Sequence, residues 1–340
     1  ACDLYVHYGE NVHRRIAWNG TLLNEWDENT LEGPIRNVVT YDGLVMFATV
    51  DGIARYNAAN DTWLPSWTPG NGLPSNSQTT IFAMTVVGDD LWYSSMSDGG
   101  GWNRNSRIFQ LNGTTGQWTS WDAGTGSIPQ GFGFSFEVCR DILHVGMARY
   151  MDFGTQGGVA RYDLSNNQWN TAFTQGGGGQ GNQALADDDV HGLACDETAG
   201  ILYIGFDEDD VGISRYAYAR HQYLPTLSET VNGISPDPVF PDGMGWAGGA
   251  LMISHVTGDG GAGGISRIPT SGASVGGGAV IDRGFEAASL EVRPATNPGF
   301  VEWVIGRPGA ATGFNRVDLF NASGLLPGEM DVLAGLPSGR

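Results

Sequence analysis

A chain of 340 residues, 41% of them apolar, is long enough for two ordinary domains or for one large all-β domain. Its formal charge is −20 and its 17 basic residues are all arginine, which excludes the cationic face that nucleic acid binding requires. The sequence has no run of about 18 apolar residues, which excludes a transmembrane helix, and no basic segment followed by an apolar one of the secretory-signal kind.

Read in chain order, one pattern returns. It begins with an apolar strand, a tight turn and a second strand ending in a small residue. A loop follows, then Gly-Ile-x-Arg-aromatic, then a turn and a tryptophan. Residues 1–33 hold the first copy, with Leu4–His7, Arg15-Ile16-Ala17-Trp18 and Trp26. Residues 34–77 repeat it with Val45–Thr49, Gly52-Ile53-Ala54-Arg55-Tyr56 and Trp63, and residues 78–130 with Leu91–Ser95, Ser106-Arg107-Ile108 and Trp118. Residues 131–183 carry Leu143–Gly146, Gly158-Val159-Ala160-Arg161-Tyr162 and Trp169, and residues 184–235 carry Leu202–Gly205 and Gly212-Ile213-Ser214-Arg215-Tyr216. Weaker copies fill residues 236–285, with Leu251–Ser254 and Gly264-Ile265-Ser266-Arg267, and residues 286–340, with Trp303–Gly306 and Gly313-Phe314-Asn315-Arg316. The arginines from Arg55 to Arg316 lie 52, 54, 54, 52 and 49 residues apart. A period of about 50 built from four short strands is a propeller blade.

Nothing in the chain has long helical periodicity, and glycine runs such as 176–179 and 258–264 read as loops. The fold expected is therefore all-β, a seven-bladed β-propeller of four-stranded antiparallel blades in one domain. One such blade cannot bury both its faces, so blades stack radially and close a ring. Strands buried on both sides lose strict alternation, as Ile81–Val87 does. The chain opens on Ala1-Cys2-Asp3, which matches Ala194-Cys195-Asp196 at the end of an innermost strand, and it closes on Gly339-Arg340. The first blade is thus expected to lack its own innermost strand. Flanking residues or a neighbouring molecule would supply it by strand addition.

The candidate sites are few. Asp187, Asp188 and Asp189 precede the fifth blade, and Asp207, Glu208, Asp209 and Asp210 join its second and third strands. Both loops of a blade so placed open on one face. Seven carboxylates in flexible loops suit calcium, although no spaced calcium loop is present and a solvated acidic surface is the plainer reading. Asn19, Asn60, Asn112 and Asn321 begin glycosylation sequons, all at the hairpin between third and fourth strands, where turn chemistry selects the same residues. His144 occupies a packing slot shared with Met46, Trp92 and Tyr203, and His7 a slot for small residues. His191, beside the aspartates, is a structural residue or a further metal ligand. Cys2, Cys139 and Cys195 occupy equivalent slots at the ends of innermost strands. They read as buried small side chains, because an odd, unpaired pattern does not suggest a disulfide framework or a zinc site. The repeated arginines are expected to pack their stems between blades and satisfy carbonyls or carboxylates rather than form an anion ring. Trp67, Trp102, Trp121 and Trp246 fall off the repeat and are expected in the core, though exposed aromatics would offer a carbohydrate platform.

The run Gly70-Asn71-Gly72-Leu73-Pro74-Ser75-Asn76-Ser77, followed by a strand and then Gly-Ile-x-Arg-Tyr, resembles the two-component-regulator propeller repeat. Echoes stand at Gly335-Leu336-Pro337-Ser338 and Gly233-Ile234-Ser235-Pro236. The resemblance implies an extracellular or periplasmic propeller, as in the sensor regions of hybrid histidine kinases, and specifies fold more than function. No nucleophile, Ser/His/Asp spacing or HExxH motif appears. The expected function is an exported, non-catalytic propeller that binds or assembles: a surface, matrix, filament or adhesion subunit. Its partner would be a protein or its own copies, with glycans an added possibility and calcium the one cofactor considered. The alternatives are a ligand-sensing domain at the central funnel and a polysaccharide lyase, which requires a converging Tyr/His/Arg set.

Overall fold

The structure is a computed structural model. It describes residues 4–8, 12–16, 22–27, 35–96, 106–149, 157–175, 185–206, 211–227, 240–247, 249–256, 264–271, 274–275, 279–282, 289–294, 300–306, 317–321 and 324–325. These fall into seven sheets, each drawn from one contiguous stretch of chain. Sheet 1 has three described strands, Leu4–Tyr8, Val12–Ile16 and Leu22–Asp27. Sheet 2 runs from Asn37 to Leu73, sheet 3 from Thr80 to Asp122, sheet 4 from Phe132 to Phe173 and sheet 5 from Val190 to Leu227. Sheets 6 and 7 run from Phe240 to Asp282 and from Ser289 to Leu325. Antiparallel neighbours in chain order form the sheets, except that Gly72–Leu73 joins sheet 2 in parallel and Ala279–Asp282 of sheet 6 pairs back with Gly264–Ser271; the one described helix is a short 3₁₀ turn, Tyr218–Arg220. Among the described residues no helix is long and apolar enough to cross a membrane.

The first strand of each sheet packs against the first strand of the next, from Asn37–Tyr41 through Thr80–Val87, Phe132–Cys139, Val190–Asp196 and Phe240–Ala247 to Ser289–Pro294. Phe300–Gly306 of sheet 7 lies beside Leu4–Tyr8 of sheet 1. The sheets therefore stand around an axis as a β-propeller, with the first strands of sheets 2 to 7 innermost.

The apolar core is divided accordingly into seams between consecutive sheets. Trp26 of sheet 1 packs edge-on against Tyr56 and Trp63 of sheet 2 at 5.0 and 5.2 Å. Met46 and Ile53 of sheet 2 share a cluster with Tyr93 and Phe109 of sheet 3. Trp92 and Trp121 of sheet 3 meet Tyr162 of sheet 4, which packs on Trp169. Phe173 of sheet 4 meets Tyr216 and Tyr223 of sheet 5, and Tyr203 of sheet 5 stacks on Trp246 of sheet 6. Trp67, Trp121 and Trp246, off the repeat, are thus seam residues. Trp102 lies outside the described residues.

The repeat itself has a physical explanation. Where third and fourth strands pair, the register slips by one residue beside Arg55, Arg161 and Arg215. Each slip leaves a fourth-strand carbonyl without a ladder partner, and the arginine fills the gap. Arg55 donates from Nε and Nη2 to Pro65 O at 2.9 and 2.7 Å, and Arg215 does the same to Pro225 O. Arg161 donates to Thr171 O at 3.2 Å and lies over the Phe173 ring at 4.2 Å. The glycine opening the motif is needed for two reasons. Gly52 and Gly158 have φ of +136° and +131°, and a Cβ on them would sit 2.2 and 2.3 Å from the carbonyl oxygens of Trp67 and Phe173.

The run from Gly70 to Ser77 laces sheet 2 to sheet 3. Gly72–Leu73 adds to the end of the strand Thr62–Pro69 in parallel, and Leu73 is buried in the seam. Ser77 accepts a hydrogen bond from the Tyr93 hydroxyl at 3.0 Å, and Asn76 O accepts one from Arg107 at 2.6 Å.

Candidate functional site

The inner strands carry an irregularity that the outer strands do not share in position. In sheet 3, Ser94 and Ser95 pair with Ala83 and Ile81, so Phe82 is skipped. In sheet 4, Met147 and Gly146 pair with Gly133 and Ser135, skipping Phe134. In sheet 5, Phe206 and Gly205 pair with Val190 and Gly192, skipping His191. Three adjacent innermost strands therefore bulge at the same height, and a bulge leaves one residue out of the ladder and re-aims its side chain. The inner strand of sheet 6 slips nearby, between Phe240 and Gly243.

All three bulged residues line one cavity of about 440 Å³ at the near end, the mouth, of the central channel. Arg36, Asn37, Glu137 and Met244 line it as well, so sheets 2 to 6 all contribute. Phe82 lies 4.9 Å from Phe132 and 6.1 Å from Phe134, with the rings tilted. Phe134 stacks on His191 at 4.0 Å and 22°. The exposed Arg36 guanidinium stands 5.4 Å from the centre of the Phe82 ring. Asn37 Oδ1 accepts the Met84 amide at 3.3 Å, close to the Phe82 bulge.

Behind His191 stands the first acidic loop. Asp187, Asp188 and Asp189 are buried, at 8%, 8% and 6% exposure, and not solvated as their sequence suggests. Asp187 Oδ1 accepts the amides of Asp188 and Asp189 at 2.7 and 2.8 Å. Asp188 Oδ1 lies 3.5 Å from the Arg149 guanidinium. Asp189 Oδ1 accepts the Arg149 amide at 2.7 Å and faces His191 Nε2 at 3.5 Å. Burial raises the Asp188 pKa, the Asp187 charge adds to this, and Arg149 pulls against it. These carboxylates shape their own loop and hold His191 in place. Among the described residues they do not gather their oxygens within 4.8 Å of one another, as ligands of one cation would. The remaining candidates, Asp207, Glu208, Asp209 and Asp210, lie outside the described residues.

The far end, the foot, differs. Cys139 and Cys195 form a disulfide with a Cα–Cα distance of 5.6 Å, which corrects the expectation of two unpaired buried thiols. Equivalent slots in consecutive sheets are neighbours when inner strands stand side by side, so the shared slot that suggested separate roles is what joins them. Cys2 lies outside the described residues. Glu197 joins both sulfurs in a compact group and accepts the Arg140 amide at 2.9 Å. The Glu137 carboxylate, on the channel wall just above, accepts the Cys195 amide. Burial nevertheless raises its pKa to about 8, with the Glu197 charge adding to the shift.

Opposite Glu137 in the ladder, His144 is fully buried. Its Nδ1 lies 3.3 Å from Glu137 O and its Nε2 meets the Tyr218 hydroxyl. Burial, helped by the charge of Arg161, lowers the His144 pKa to about 3. With Arg161 over Tyr218 at 5.9 Å, this is a converging Tyr/His/Arg set of the kind a lyase needs. Both ring nitrogens are occupied within the seam and His144 offers no exposed surface, so the set acts as packing. The sequon residues divide. Asn112 Oδ1 accepts the Thr115 amide and hydroxyl at 2.8 and 2.9 Å, which is turn chemistry, and exposed Asn60 accepts the Thr62 hydroxyl at 2.5 Å. Asn321 ends the strand Val317–Asn321, and Asn19 lies outside the described residues.

Sequence reasoning missed Arg36, Phe82 and Phe134. The available signal was Phe132-Gly133-Phe134-Ser135-Phe136, where large rings alternate along an inner strand.

No protein-family model matches the chain, and no curated protein matches its sequence. Solved structures do match. The WD40 domain of Neurospora crassa Pan2 superposes with a TM-score of 0.57 at 9% identity, over 92% of this chain and 88% of that one. A chain of the mitotic checkpoint complex gives 0.58 at 14% identity, over 90% and 86%. An extracellular domain assigned to a hybrid two-component system of B. thetaiotaomicron gives 0.51 at 12% identity. That match covers 92% of this chain, which spans only 34% of the other. At such identities the likeness is one of fold, and the fold is the β-propeller.

Proposed function

We propose that this chain is an exported, non-catalytic binding module whose ligand site is the mouth of its central channel. The observation that carries the reading is the row of bulges that places Phe82, Phe134 and His191 on one cavity wall. A ladder gives up regular pairing at such points to aim side chains, and bulges are over-represented beside sites. A concave, aromatic-lined volume of several hundred Å³ with a few polar groups is what a small ligand requires. Export is supported by the Cys139–Cys195 disulfide, since such bonds persist in oxidising compartments. The extracellular domain among the structural matches is compatible with this.

A thermal-shift screen of small molecules tests the reading. A ligand of the mouth raises the melting temperature of the native chain by mass action, and Phe134→Ala abolishes the shift. Ligands whose effect survives Phe134→Ala and Phe82→Ala place the site elsewhere. A second reading, assembly with protein partners or with further copies, is favoured by a propeller match drawn from a complex. Sedimentation of the purified chain tests it, with concentration-dependent polymers expected on that reading.

A further inference from the structure

Granting that the mouth is a ligand site, the geometry points to the class of ligand: we infer that it takes a planar aromatic carboxylate. Three observations lead there. The first is shape. Phe82 and Phe134 line the cavity with tilted rings 6.1 Å apart, Phe132 packs on both from outside the lining at 4.9 and 6.0 Å, and His191 continues the wall in near-parallel contact with Phe134. Half-buried rings so arranged offer edges and faces to a flat guest at the offset and tilted spacings that aromatic pairs prefer.

The second observation is charge. The chain as a whole carries −20, yet among the described lining residues the cavity has one arginine, Arg36, whose guanidinium has no ion-pair partner among the described residues. Its planar fork matches a carboxylate, and the Phe82 ring beneath holds it flat. Asp189, behind His191, is not among the lining residues; its Oδ1 accepts the Arg149 amide and faces His191. The third observation is depth. Glu137 lies further down the same cavity, where burial keeps its carboxyl protonated at neutral pH. It presents a donor rather than a second negative charge, and suits a ring carbonyl, hydroxyl or imine nitrogen at the guest's inner end.

Indole-3-acetate, its neutral amide indole-3-acetamide and the cation tryptamine are probes of nearly one shape. Titration calorimetry at neutral pH and low salt should give binding of the acetate at least tenfold tighter than that of the amide, with tryptamine weakest. Arg36→Gln should bring the acetate down to the level of the amide and leave the amide unchanged, whereas Phe134→Leu should weaken both. Hydrogen exchange on each complex should show protection around residues 80–84, 132–136 and 190–193. If the amide or tryptamine binds as tightly as the acetate and protects those residues, the ligand class is wrong and the site stands. If none of the three protects them at millimolar concentration, site and class fall together. If the acetate binds best but Arg36→Gln changes nothing, the recognition argued here is wrong.

Discussion

At the mouth of the channel, Phe82, Phe134 and His191 stand out of their ladders and face a cavity. At the foot, the same strands run in register to their turns. Arg140-Asp141, at the end of the Phe134 strand, takes the paired positive φ angles of the hairpin turns that suit twisted strands, as Asp42-Gly43 does in sheet 2, and Cys139 is bonded to Cys195. One end of each strand is thus regular and locked, the other irregular and open. The contrast indicates how a repeat fold separates stability from recognition: the seams and the foot carry the ring, and the mouth can vary without loosening it.

The largest expected effect comes from unlocking the foot. The disulfide closes a 56-residue separation, so Cys139→Ser with Cys195→Ser should cost about 4 kcal/mol on a chain-entropy account, read from urea unfolding. The same double variant should keep its affinity for a mouth ligand; loss of that affinity would break the division between the ends.

Next come two opposite pH effects from residues that face each other in one ladder. His144 titrates at about 3 in the folded chain, below the ordinary value of 6.5, so the unfolded chain binds its proton first as pH falls. Stability is full above pH 6.5 and declines toward pH 3, by up to roughly 1.4 kcal/mol per pH unit. His144→Gln should flatten that decline. Glu137 titrates at about 8, above the ordinary 4.5, so the folded chain holds the proton longer. Its contribution is full below pH 4.5 and shrinks as pH rises to 8, and Glu137→Gln should remove that slope. Melting curves from pH 4 to 9 read both, and parallel profiles for the two variants would contradict the assignment.

The smallest effects belong to the ends themselves. Asp141→Gly relieves a left-handed non-glycine residue at φ +59° and should stabilise the foot by about 0.5–1 kcal/mol. Arg36→Gln at the exposed rim should alter stability by less than about 0.5 kcal/mol. A larger loss would make Arg36 part of the scaffold.

The ring was legible in the sequence because its supports repeat: the Gly52 and Gly158 class of residue admits the close fourth-strand carbonyl, and Arg55, Arg161 and Arg215 occupy the slip beside it. Trp121 and Trp246 fall off that repeat, and their place in the seams agrees with the core packing expected of large rings. The cysteine pair was within reach, because Cys139 and Cys195 hold equivalent slots in consecutive blades, but the odd count and the lack of paired spacing pointed away from it. The bulges were hidden more deeply. An extra residue in Ile81–Val87 or Phe132–Cys139 changes no composition and shows only when the partner strand is laid beside it. The acidic run was noticed for its charge, yet Asp187, Asp188 and Asp189 are occupied by amides, Arg149 and His191, which spacing alone does not reveal.

A crystal structure of the chain grown with indole-3-acetate shows where the ligand binds. The indole ring should lie against Phe82, Phe134 and His191, with its carboxylate on Arg36. A guest bound at the foot, in a seam or on an outer strand, with the mouth unoccupied, would contradict that placement.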